Sequence, residues 1–172
     1  MEFFKLIEKR QSTRKFQKKP VGKEKLTKIL EAINSAPSAG NLQAYDVIVI
    51  EDKATREKLA EAALGQEFIV EAPVALVFCT NSDRTSFKYG RRGRELYCIQ
   101  DATIACAYAQ LAATSLGLAS VWVGAFSEAG VSTLLSLTDN LKPVAILPIG
   151  YAAEEPKKTP RRKLGELVKK RV

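Results

Sequence analysis

The sequence contains no histidine. That absence excludes Ser-His-Asp and Cys-His nucleophilic triads and every histidine-based zinc site. Cysteine is scarce as well. Cys79, Cys98 and Cys106 cannot all pair, none stands in a C-x-x-C, and three scattered thiols make a poor metal cage. Such usage fits a reducing compartment, so a cytoplasmic location is expected. No apolar run approaches the roughly 18 to 20 residues that span a bilayer, and no membrane association is expected. The opening MEFFKLIEKRQSTRKF lacks the apolar h-region and cleavage site of a secretion signal. No internal repeat, low-complexity tract or Gly/Ser/Pro-rich linker interrupts the 172 residues, which suit one domain with a sizeable core. If the chain is an enzyme, carboxylates or a cofactor must supply its chemistry.

What is present in excess is positive charge, and it is unevenly spread. The chain nets +8. Residues 1–28 carry ten Lys/Arg against three Glu, and residues 157–172 carry eight against one, so each end nets +7 while the stretch between nets −6. Two basic ends around an acidic body are either tails for nucleic acid or two segments converging on one anion. No helix-turn-helix, zinc or RNP signature accompanies the charge, and the aromatics are not interleaved with the basic clusters. Nucleic acid is therefore not the expected partner.

Periodicity organises the rest. Phe4 and Ile7 suggest a short first helix. Leu26, Ile29, Leu30 and Ile33 recur at helical spacing over about Lys23–Ser35, and Pro37–Asn41 then breaks into a loop. Strands are predicted at Asp46–Ile50, Val74–Cys79, Ala119–Val123 and Val144–Ile149, with helices at Thr55–Leu64 and Glu128–Leu137, the latter capped by Ser127. The polar, Gly/Arg-rich segment 81–93 reads as a mobile loop. From Glu95 to Leu116 runs the longest helical pattern. Leu96, Ile99, Thr103, Cys106, Ala107, Gln110, Leu111 and Thr114 lie near one of its faces, and its alanine content predicts close packing on several sides. Interleaved strands and helices give an α/β or α+β domain, with strand order and direction open.

Four short constellations could carry chemistry. Arg10, Gln11, Ser12 and Arg14 place two guanidiniums and a hydroxyl within five residues, a cradle for phosphate, although an exposed basic turn would look the same. The segment Ala36–Gln43 combines small residues, which allow close approach to a flat ligand, with Ser38, Asn41 and Gln43 as polar partners; a helix-ending turn uses the same types. Leu118–Phe126 is a strand running into Gly124, where backbone N–H groups become available, or simply a core strand with a buried Trp122. Thr159–Lys163 holds the basic pair Arg161 and Arg162.

Taken together and in this order, these segments resemble the nitroreductase family of flavin mononucleotide (FMN) enzymes. The resemblance covers nearly the whole chain: R-x-S-x-R near residue 10, PSxxNxQ after the first long helix, APVALVF, IQDATIACAYAQLAATSLGLASVWVGAF, and the LPIGYAAEEPKKTPRRKL tail. It implies an α+β fold with a central, mainly antiparallel sheet flanked by helices, residues 1–172 forming one FMN-binding domain. It also implies an intertwined homodimer with two FMN sites at the interface. Arg10 and Ser12, with Gln11, match the positions that hold the phosphate and ribityl chain, and Arg14 the basic residue near flavin N1 and the C2 carbonyl. Pro37, Ser38, Ala39 and Asn41, with Gln43, match the loop donated by the partner subunit. Val123 and Gly124, next to Trp122, match the segment whose backbone N–H faces flavin N5. Arg162, next to Arg161, matches the distal phosphate arginine.

The implied activity passes electrons from NAD(P)H to a nitroaromatic, quinone or similar acceptor by a ping-pong scheme. Reductive dehalogenation and flavin breakdown are other chemistries of the same fold. The missing histidine then poses no difficulty, because the cofactor carries the reaction. Two departures stand out. Where many members read Q-P-W, this chain has Gln43-Ala44-Tyr45, and little length separates Cys79 from Glu95 for a substrate cover. Residues 87–94 are the expected lid, with Tyr89, Arg91, Arg94 and Tyr97 lining the pocket.

Overall fold

The computed structural model describes residues 2–156, 158–168 and 170. Helices α1 (Phe3–Lys9) and α2 (Lys23–Asn34) precede a 3-10 turn, Ala39–Asn41, and strand β1 (Tyr45–Ile50). Helices α3 (Lys53–Ala62) and α4 (Phe68–Glu71) lead to β2 (Val74–Thr80). Next come α5 (Asp83–Arg92), a π turn at Gly93–Tyr97 and the long α6 (Cys98–Ser115). Strand β3 (Ala119–Ser120), α7 (Glu128–Leu134), β4 (Pro143–Gly150) and α8 (Leu164–Leu167) complete the order. The caps follow the sequence: Asp52 accepts from the Thr55 N–H at 2.7 Å to start α3, and Ser127 accepts from Gly130 N–H at 3.1 Å to start α7.

The strands form one sheet in the order β1-β2-β4-β3, every neighbouring pair antiparallel, which makes the fold α+β. All seven residues of β2 are buried, and strand geometry explains why. Successive side chains point to opposite faces, so an unbroken apolar run needs cover on both. Val74, Leu76 and Phe78 pack with Ala145, Leu147 and Ile149 of β4 under α2 and α6. Ala75, Val77 and Cys79 pack with Ile146 under α3, α4 and α7. Each large apolar side chain so buried stabilises the fold by about 1.5–3 kcal/mol before entropy is subtracted. Among the described residues, no helix is long and apolar enough to cross a membrane.

The strand expected at Ala119–Val123 is regular only at Ala119–Ser120, with Val123 held by a single bridge to Ile146, and two further segments differ from the sequence reading. Residues 83–92, within the stretch expected as a mobile loop, are helical; their charges hide any apolar period, but α5 buries Thr85 and kinks at Gly90, whose φ is +54°. The side of α6 buried in this chain runs through Ala102, Ala105, Cys106, Ala109 and Ala113, sharing only Cys106 and Thr114 with the expected face. An alanine-rich helix carries almost no amphipathic signal to orient it. Gln100, Thr103 and Ala107 stay exposed on the opposite side, with Ile99 (43%) and Tyr108 (38%) on its two flanks.

Candidate active site

The candidate residues gather at the two ends of α6. At its C-terminal end, residues 10–17 run extended along the sheet. Ser12 bridges Ser120 in parallel, Thr13 N–H donates to the Ser120 carbonyl at 3.1 Å, and Gln17 N–H donates to the Tyr151 carbonyl at 2.9 Å. Side chains alternate along this arm. Thr13 is buried, Ser12 and Arg14 are exposed, and Arg10 is half-buried. Gln11 turns with Thr13 toward a small cavity of about 160 Å³, its amide donating to the Glu8 carbonyl at 3.1 Å. Partial burial, and then the positive charge of Arg161, push the Arg10 guanidinium below its ordinary value. Of the two tail arginines it is thus Arg161 whose charge reaches Arg10. Among the described residues, Arg10, Arg14, Arg161 and Arg162 have no carboxylate within ion-pair distance. Beside Ser12, the Ser120 hydroxyl is buried and has no hydrogen-bond partner there either.

At the N-terminal end of α6 lies the loop Pro37–Gln43. Three positive φ values within four residues, at Gly40 (+58°), Asn41 (+58°) and Gln43 (+49°), fold it tightly, and the last two strain side-chain-bearing residues. Asp101 compensates. Its carboxylate, buried on the first turn of α6, accepts from Ala39 N–H at 2.9 Å and from Ala44 N–H at 3.3 Å. The second bond explains a departure from the family pattern, because proline at position 44 would offer no N–H. Tyr45 Oη donates to the Ile33 carbonyl at 2.8 Å, and Ser38 Oγ accepts from Gln43 N–H at 2.9 Å. Pro37, Ser38 and Ala39 line a groove of about 530 Å³ with Tyr97, Asp101 and Thr103. Asp101 was not singled out from the sequence. The available signal was an acid in an alanine-rich run, since a buried carboxylate requires donors around it.

The remaining candidates divide. Val123 N–H is already committed to the Ile146 carbonyl at 2.9 Å, which leaves Gly124 as the exposed donor of that segment. A Cβ on Gly124 would stand 3.2 Å from Trp122 Nε1, so the indole sets how closely that backbone can be approached. Tyr89 and Tyr97 meet edge to face with centroids 5.2 Å apart, beside the loop. Arg91 instead pairs with Glu95 at 2.8 Å, and Arg94 faces a separate cleft of about 660 Å³ shared with Thr80 and Lys142. The three thiols are buried and free; burial pushes Cys79 up to about 12 and also raises Cys98 and Cys106, so none is poised as a nucleophile.

The family model described as Nitroreductase family matches residues 7–69 and 63–151. An FMN reductase (NAD(P)H) of Bacillus subtilis is 36% identical over 173 residues, with 93% of this chain and 70% of that protein covered. A nitroreductase family protein of Clostridium difficile 630 has a similar structure, with a TM-score of 0.87 and 38% identity over 98% of this chain and 97% of its own. An FMN-dependent nitroreductase of C. difficile R20291 gives a TM-score of 0.80 and 30% identity over 92% of each chain.

Proposed function

This chain belongs to the nitroreductase family, and from that premise we propose that two copies of it build each active site and that its electron acceptor is a small nitroaromatic or quinone. It is an FMN-dependent oxidoreductase that takes electrons from NAD(P)H. The single observation behind the two-copy site is the length of α6. Its 18 residues, at 1.5 Å each, separate the arm at 10–14 from the loop at 37–43 by roughly 27 Å. No hydrogen bond or ion pair among the described residues joins the two. A second, oppositely running α6, packed on the exposed stripe of Gln100, Thr103 and Ala107, would bring the loop of one copy to the arm of the other.

The residues present fit FMN. The positive charge of Arg161 acts on Arg10, and among the described residues neither has a carboxylate within ion-pair distance, an arrangement that a phosphate dianion relieves. The unpartnered Ser120 hydroxyl beside Ser12 adds a donor to the same place. In this reading Arg10, Ser12 and Arg161, with Arg162, hold the phosphate. Arg14 sets a fixed positive charge at the pyrimidine edge, and Gly124 offers its backbone N–H near N5. Bound FMN supplies two-electron transfer through N5. The chain orients the ring: Asp101 fixes the loop that covers it, and the Trp122 indole limits access beneath Gly124. Donor and acceptor use the same open face in turn. We read residues 1–172 as one FMN-binding domain, supported by the single sheet that both core clusters share, and place it in the cytoplasm on the strength of its three buried, unpaired thiols.

The test is spectroscopic. The purified protein is expected to show flavin bands that bleach when NADH or NADPH is added without oxygen and return when a nitroarene or quinone follows. A preparation that cannot be loaded with FMN would overturn the assignment, and a monomer by light scattering would overturn the two-copy site.

A further inference from the structure

Helix α5 and the π turn after it are the most basic exposed surface outside the arms. Residues 84–94 hold five Lys/Arg and no acid. The cations are not equivalent. Arg84 donates to the Leu42 carbonyl at 3.0 Å, which ties α5 to the loop, and Arg91 is neutralised by Glu95. Lys88 and Arg92 have no carboxylate partner among the described residues. Both sit on aromatic rings at the loop. Lys88 Nζ lies 5.3 Å from the Tyr89 centroid, and the Arg92 guanidinium 5.4 Å from that of Tyr97, with Arg92 Nε donating to Tyr97 Oη at 3.0 Å. A Cβ on Gly40 would come within 2.8 Å of Lys88 Nζ, so this cluster rests directly on the loop assigned to the flavin.

We propose that Lys88 and Arg92, on the Tyr89–Tyr97 platform, bind the 2′-phosphate and adenine of NADPH, making the protein selective for NADPH over NADH. The chemistry is matched on both counts. Two unneutralised cations recognise a dianion that NADH lacks, and an edge-to-face tyrosine pair offers flat apolar surface to a purine. Arg92 keeps its terminal nitrogens for the ligand because Nε alone binds Tyr97. A cation held at a ring face loses little freedom when a phosphate arrives.

The proposal rests on the flavin reading above, and the experiment separates the two. The kcat/KM values for NADPH and NADH are measured on the FMN-loaded protein and on Lys88→Ala/Arg92→Ala. In parallel, the affinities of 2′,5′-ADP and 5′-AMP are measured by calorimetry. The wild type is expected to prefer NADPH and to bind 2′,5′-ADP more tightly than 5′-AMP. The double variant should lower the NADPH-to-NADH ratio by about tenfold or more, the factor that roughly 1.4 kcal/mol produces. Equal or better use of NADH by the wild type overturns the proposal and leaves the flavin reading standing. So does a variant that loses both nucleotides in proportion, because the cations would then be shaping the loop. A flavin that neither nucleotide bleaches overturns the underlying reading itself.

Discussion

The two basic ends carry the same net charge and are built in opposite ways. The N-terminal arm is part of the fold. Phe16 is 5% exposed, its N–H donates to the Glu71 carboxylate at 3.2 Å, and Ala153 N–H donates to the Lys15 carbonyl at 2.9 Å. The described residues from 158 to 168 are exposed throughout, and the short α8 leaves Leu164 77% and Leu167 52% accessible. Charge alone marks both ends as places for an anion. Backbone bonding decides which is ready before the anion arrives: Arg10 projects from an arm already locked to β3, whereas Arg161 belongs to a segment with little holding it.

The largest test of this contrast is on stability. Phe16→Ala should cost about 3–5 kcal/mol of unfolding free energy, the usual loss for a buried phenylalanine. A loss below 1 kcal/mol in denaturant titration would show that the arm is a tail like the other end. Cofactor affinity comes next. Arg10→Ala should weaken FMN binding by about 1.5–3 kcal/mol, as for a charge-assisted hydrogen bond from a pre-positioned group. Arg161→Ala should cost less, about 1 kcal/mol, because its segment must be ordered first, and Arg162→Ala less again. Fluorescence titration of the apoprotein with FMN ranks the three; Arg162 emerging as the costliest would reverse the assignment of the tail arginines.

A smaller effect separates the arms from the loop. Asp101→Asn keeps one acceptor and turns the other into a donor facing an N–H. It should loosen FMN by about 1 kcal/mol while leaving Arg10 and Arg161 in place. Amide exchange at Ala39 and Ala44 should quicken in the same variant. FMN affinity that falls with those amides still protected would place Asp101 outside the loop's support.

Sequence made the sheet legible and the decorations much less so. Val74–Cys79 reads as a buried strand from composition alone because both faces demand apolar residues, and the cap at Ser127 follows a rule only three residues long. The arm motif can be read as a cluster from sequence, since an extended chain alternates its side chains and Arg10, Ser12 and Arg14 share a parity. Which side of α6 is buried was not legible, because alanine packs on any side. The helicity of 83–92 was hidden by its charges. Asp101 and Lys88 act through contacts about 50 to 60 residues away along the chain, and local patterns carry no record of such distances.

The last prediction has the smallest effect on the protomer and bears most directly on the second end. Leu164 and Leu167 lie on one turn of α8 and are exposed in a single chain, so replacing both by glutamate should change protomer unfolding by less than about 0.5 kcal/mol. If these leucines lie against a second copy, as the tail of an intertwined dimer would, each glutamate instead buries a charge at the interface. Sedimentation should then shift toward the monomer, and FMN should be lost along with it, because the loop of one copy would no longer reach the arm of the other. An unchanged dimer that retains its flavin would leave the C-terminal end as a solvated tail and confine the phosphate site to the arm at 10–14.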